Sequence, residues 1–153
     1  MKTNFNISTV GTLLLAICAL VTLSTPAIAQ QGNGPSLEGR CSNRTLVGSY
    51  GFTITGTIVG PGFEVRGVVM QKYDGNGNFT QVDHIVTSGL PPQTEWRPGS
   101  GTYSVNPDCT GSALLVLPNA PSVSINFVID SEGREIRQVV NGQIVTATGT
   151  KLD

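Results

Sequence analysis

Charge is what this chain has least of: Lys, Arg, Asp and Glu make up 12% of its 153 residues, and the formal net charge is −1. Binding to a phosphate backbone draws most of its affinity from clustered Lys and Arg. The sequence has neither a basic run nor a stripe of basic and aromatic residues, so nucleic acid is not an expected partner. Histidine occurs once, at His84, and no CxxC spacing occurs, which leaves too few ligands for a zinc site. Nothing in the sequence calls for a metal or another cofactor. Beyond residue 29 no segment carries a helical hydrophobic period, and none approaches the roughly 20 apolar residues of a membrane-spanning helix, so stable membrane insertion is not expected.

The one long apolar run lies near the start. Lys2, the apolar stretch 10–23, Pro26 and Ala27-Ile28-Ala29 follow the three-part layout of a secretory signal peptide, with cleavage expected after Ala29. A lipoprotein site at Leu15-Ala16-Ile17-Cys18 is disfavoured by the bulky Ile17 before the cysteine. The chain is therefore expected to be secreted or periplasmic. It divides into a signal peptide (1–29), a flexible Gly-, Gln- and Ser-rich N-terminal segment (30–44) and one folded domain (45–153). Cys18 leaves with the signal. Cys41 and Cys109 remain, and in an oxidising compartment they are expected to form a disulfide.

What is abundant is glycine, with Val, Thr and Ile between turns, the composition of an all-β domain. Short β-rich runs cover 45–59, 64–73, 78–88, 101–106 with a start before Trp96 left open, 111–117, 122–129, 135–140 and 143–151. Asp74-Gly75-Asn76-Gly77 and Asp130-Ser131-Glu132-Gly133 each read as a type I turn followed by a left-handed glycine, and Asn141-Gly142 reads as a tight hairpin. Successive hairpins make neighbours antiparallel. Eight such strands are expected to close into an up-and-down barrel, which removes exposed edges. In that topology Cys41 and Cys109 fall at one end, so the N-terminal segment is expected to cross and plug that mouth. A ligand would enter from the other end, beside Gly60-Pro61-Gly62 and the loop 89–99.

Three motifs carry a family resemblance: Gly48-Ser49-Tyr50-Gly51-Phe52, Tyr73-Asp74-Gly75-Asn76-Gly77-Asn78, and the segment from Gly101-Thr102-Tyr103 through Asn106-Pro107-Asp108-Cys109-Thr110-Gly111. Together they resemble small exported bacterial β-barrel proteins, mostly of unknown function, whose barrel is similar to that of the allene oxide cyclases and, more loosely, the calycins. The resemblance implies a lipocalin-like or allene oxide cyclase-like barrel. The catalytic residues of the plant cyclases have no match here, so it implies no activity, and catalytic residues stay unassigned.

Asp83, His84 and Trp96 are the candidate ligand-binding residues. Asp83 and His84 are adjacent on one strand and so face opposite sides of the sheet, which rules out a dyad between them. The turn at Asp74 places Val68 opposite His84 and Val69 opposite Asp83, with one of the polar pair inside the barrel. Trp96 lies on the loop at the open mouth, where it either gates a ligand or caps the core. Asp74, Asn76 and Asn78 imitate the start of a calcium loop, but Phe79 stands where that loop needs glycine. Three functions compete. The leading one is binding of a small apolar ligand in the barrel; the others are an enzyme of the barrel-cyclase type and a structural or envelope-interaction protein with a filled barrel. The apolar run 113–117 leaves a homo-oligomer open.

Overall fold

The computed structural model describes residues 40–152. The expected signal peptide, residues 30–39 and the final residue lie outside them. A short 3-10 turn (Asn43–Thr45) precedes eight strands: β1 (Val47–Ile58), β2 (Phe63–Asp74), β3 (Asn78–Thr87), β4 (Arg97–Val105), β5 (Thr110–Val116), β6 (Val123–Ile129), β7 (Glu135–Val140) and β8 (Ile144–Lys151). Each pairs antiparallel with its sequence neighbours, and β1 pairs with β8 to close an up-and-down barrel.

Alternation along the strands decides which side chains fill it. Phe52, Val69, Phe79, Leu115, Ile125, Phe127, Ile136 and Ala147 are buried inside. The intervening Thr53, Lys72, Thr80, Ser112, Arg137 and Thr148 are exposed. The outer face is mixed, because Val68, Met70, Leu114, Val116, Val128 and Val139 are exposed on it as well. Among the described residues no helix is long and apolar enough to cross a membrane.

Three cross-strand pairs set a phenylalanine ring over a glycine: Phe52 opposite Gly149, Phe79 opposite Gly101 and Phe127 opposite Gly111. A Cβ on any of these glycines would collide with the ring it faces. The missing side chains let the rings lie flat against the barrel wall, so these glycines belong to the packing of the core.

The lower end carries the turns after β2, β4 and β6, and the N-terminal segment sits among them. Gly77 and Gly133 have φ of 104° and 66°, the left-handed positions expected of the two bulged turns. Asp74 Oδ1 accepts the backbone N–H of Asn76 at 2.7 Å and of Asn78 at 3.0 Å. Its carboxyl is held below the ordinary range, first by the Asn78 side-chain hydrogen bond and then by these backbone donors. Cys41 is disulfide-bonded to Cys109 in the β4–β5 turn, with Cα atoms 5.1 Å apart. Leu46 is fully buried. Asn43 Oδ1 accepts the Val105 N–H at 2.8 Å, and the Tyr103 hydroxyl lies 3.0 Å from the carbonyl oxygens of both Asn43 and Leu46. Residues 41–44, grouped by composition with a flexible segment, therefore pack as the lower plug. The disulfide that pins them was expected from the two cysteines, whereas the hydrogen bonds of Asn43 and Tyr103 have no sequence signal.

β4 starts at Arg97, four residues before the expected run 101–106 and one residue after Trp96, before which a start had been left open. Pro98 pairs with Val82 of β3 but lies beyond Ser100, the first β4 residue paired with β5. Its missing N–H therefore interrupts no ladder bond toward β5.

Candidate functional site

The barrel interior has two halves. In the lower half Tyr50, Tyr73 and Tyr103 form an edge-to-face cluster about the Tyr73 ring, with centroids 5.4 and 5.0 Å from it, and Phe79 stacks on Tyr73 at 5.5 Å. Tyr50 donates to the Gly133 carbonyl, and Tyr103 points to the plug. That half is filled.

Above the cluster the side chains are smaller, and a cavity of about 510 Å³ remains. Its walls are unequal. From β5 to β8 and the loops between them come Leu115, Leu117, Val123, Ile125, Val140 and Val145, with Ser124, Gln138 and Gln143 among them. From β2, β3 and β4 come Gln71, Gln81, Asp83 and Arg97. Register explains the second group: Gln71 is directly opposite Gln81, and Asp83 is directly opposite Arg97. Gln81 and Asp83, two apart on one strand, share the inward face.

These side chains form one hydrogen-bonded chain. Tyr73 donates to Gln71 Oε1 at 2.6 Å, Gln71 Nε2 to Gln81 Oε1 at 2.9 Å, and Gln81 Nε2 to Asp83 Oδ2 at 2.9 Å. From the other side Arg97 donates through Nε to Oδ1 at 3.0 Å and through Nη2 to Oδ2 at 3.1 Å. Asp83 is 3% exposed, so its charge needs this company; an uncompensated buried carboxylate is strongly destabilising. Burial pushes the Tyr73 hydroxyl well above the ordinary phenol range, reinforced by Tyr103 and Tyr50, so it stays a donor.

Arg97 is the gatepost. Its side chain is 39% exposed, and with Asp83 it borders both the cavity and an outer vestibule of about 900 Å³. Phe63, Leu90, Pro91 and Pro92 shape that vestibule between the β1–β2 turn and the β3–β4 loop.

Of the three candidates from sequence, Asp83 faces the lumen. His84 and Trp96 meet each other on the outer face, with ring centroids 5.8 Å apart. His84 Nδ1 lies 2.7 Å from the Glu95 carbonyl oxygen, and Trp96 is 50% exposed. The structure thus separates these two from the residue they were grouped with. Gln71, Gln81 and Arg97 were not among the candidates, because a glutamine in an alternating strand belongs to no functional motif and Arg97 stood only as a neighbour of Trp96 on the loop expected at the open mouth. The signal that could have found them is strand parity: the register that places Val69 opposite Asp83 puts Gln71 and Gln81 on the same inward face. Among the described residues no group of His, Cys, Asp and Glu could hold a metal ion.

No family model matches the chain, and no curated protein matches it in sequence.

Proposed function

We propose that this chain is an exported binding barrel whose upper lumen takes one small, mostly apolar ligand. The observation that carries the reading is the cavity of about 510 Å³ left above the tyrosine cluster, lined mostly by apolar side chains and crossed on the β2–β4 side by one hydrogen-bonded polar row. Its size lies within the roughly 300–1,000 Å³ usual for small-molecule sites. The filled lower half and the disulfide-pinned plug support a single entrance at the vestibule. The paired cysteines, the leader-like first 29 residues and the resemblance to exported bacterial barrels support export.

The test is equilibrium dialysis and thermal unfolding against a panel of small apolar and aromatic compounds, with Val123→Trp as the variant that fills the lumen. Saturable one-to-one binding that raises the unfolding midpoint in the natural sequence, and is lost in Val123→Trp, is expected. Release of a chemically altered compound would move the reading to a barrel-cyclase-type enzyme. Absence of binding by every compound would move it to a structural barrel.

A further inference from the structure

The inward polar wall has a direction. A carboxylate can only accept, so Gln81 must turn its Nε2 toward Asp83 and its Oε1 toward Gln71. Gln71 must then offer Nε2 to Gln81 and leave Oε1 for the Tyr73 hydroxyl. A primary amide carries two N–H groups, and each glutamine uses one of them along the chain. Arg97 uses Nε and one Nη2 hydrogen on Asp83, which leaves the Nη1 side of its guanidinium turned away from the carboxylate. The wall therefore holds a row of N–H donors beyond those its internal bonds use, on three adjacent strands, opposite a wall that is mostly apolar, with Gln138 and Gln143 as its polar members. Asp83 and Arg97 are the charged residues among those lining this cavity, and their charges cancel.

We propose that Gln71, Gln81 and Arg97 read acceptor oxygens along one edge of a neutral, otherwise apolar ligand such as an ester, ketone or lactone, and that Asp83 is the positioning residue that sets the donors' direction. The inference rests on the binding-barrel reading and narrows its ligand class. A carboxylate ligand would bring a second negative charge beside a buried one, and a plain hydrocarbon would leave the donors facing an apolar surface, which is unfavourable for both.

The experiment compares three probes on one skeleton: 2-ethylnaphthalene, methyl 2-naphthoate and the 2-naphthoate anion, each titrated into the disulfide-intact protein by calorimetry. The ester is expected to bind about tenfold more tightly than the hydrocarbon, the scale of one or two net hydrogen bonds, and more tightly than the anion. Gln81→Met keeps the side-chain length while removing one of the three donors, so the ester-to-hydrocarbon ratio should fall. Gln71→Met, deeper in the chain, serves the same purpose if Gln81→Met unfolds. Asp83→Asn should also lower the ratio, because an amide there no longer dictates the direction of Gln81. Equal binding of ester and hydrocarbon by the natural sequence would overturn the inference and leave the binding barrel standing, as would an unchanged ratio in a folded glutamine variant. Failure of all three probes to bind would count against the binding-barrel reading itself.

Discussion

Single residues set both the tight spots and the pH limits of this barrel. Gly111 lies under the Phe127 ring and close to the Ser104 carbonyl, so Gly111→Ala forces the ring or the ladder to move. Overpacking of this kind costs about 1–3 kcal/mol, and a chemical denaturation curve should show it as a lower midpoint. Gly133 combines a φ of 66° with the Thr45 carbonyl where a Cβ would stand, whereas the nearest atoms to a Cβ at Gly77 are at 3.1 and 3.2 Å. Gly133→Ala should therefore destabilise more than Gly77→Ala, by about 1 kcal/mol or more in absolute terms. The acidic limb follows from Asp74 and Asp108, whose carboxyls are lowered from 3.8, chiefly by hydrogen bonds from the Asn78 and Thr110 side chains respectively. A carboxyl lowered in the folded state contributes stability that is present above its unfolded value and lost as pH falls through the folded one. The midpoint should fall below about pH 4, and Asp74→Asn should flatten that fall. Tyr73 acts at the other end: its raised hydroxyl contributes stability below pH 10.0 that is lost as pH rises further, and Tyr73→Phe should soften the alkaline limb.

At the scale of elements, turns were the most legible part of the sequence. Asp74-Gly75-Asn76-Gly77 fixed the β2–β3 register well enough to place Val68 opposite His84 and Val69 opposite Asp83, and the paired strands have that register. Gly133 takes the left-handed position its turn called for, because only a residue without Cβ closes that turn freely. The start of β4 was not legible, since Arg97-Pro98-Gly99 has turn chemistry, and only its place beyond the end of β5 lets proline remain in a strand. Which of Asp83 and His84 faces inward was also hidden, because it depends on barrel closure and on an Arg97 partner from a strand whose start was unclear. The lower plug depends on one long-range bond. Cys41 and Cys109 are separated by 68 residues, and closing such a loop in the unfolded chain is worth about 4 kcal/mol by the chain-entropy estimate. Reduction, or Cys41→Ser with Cys109→Ser, should lower stability by an amount of that order. Intact-mass analysis with and without reductant should show two alkylatable thiols only after reduction.

For the molecule as a whole, the division of the interior into a filled lower half and an open upper half is the property on which the proposed function rests. An eight-stranded barrel has just enough room for side chains or for one small ligand, and here each half takes one of those options. The aromatic cluster and its plug give the lower half a rigid floor. The upper half has shorter side chains, an amphipathic lining and a mouth bordered by Arg97. The most direct test is methyl NMR of the disulfide-intact protein titrated with methyl 2-naphthoate, following the isoleucine, leucine and valine methyls. Saturable shifts and intermolecular contacts confined to Leu115, Val123, Ile125 and Val145, with Ile129 and Ile136 near the floor unchanged, are the expected result. Shifts scattered over the outer face, or contacts centred on His84 and Trp96 with the lumen methyls silent, would contradict the account.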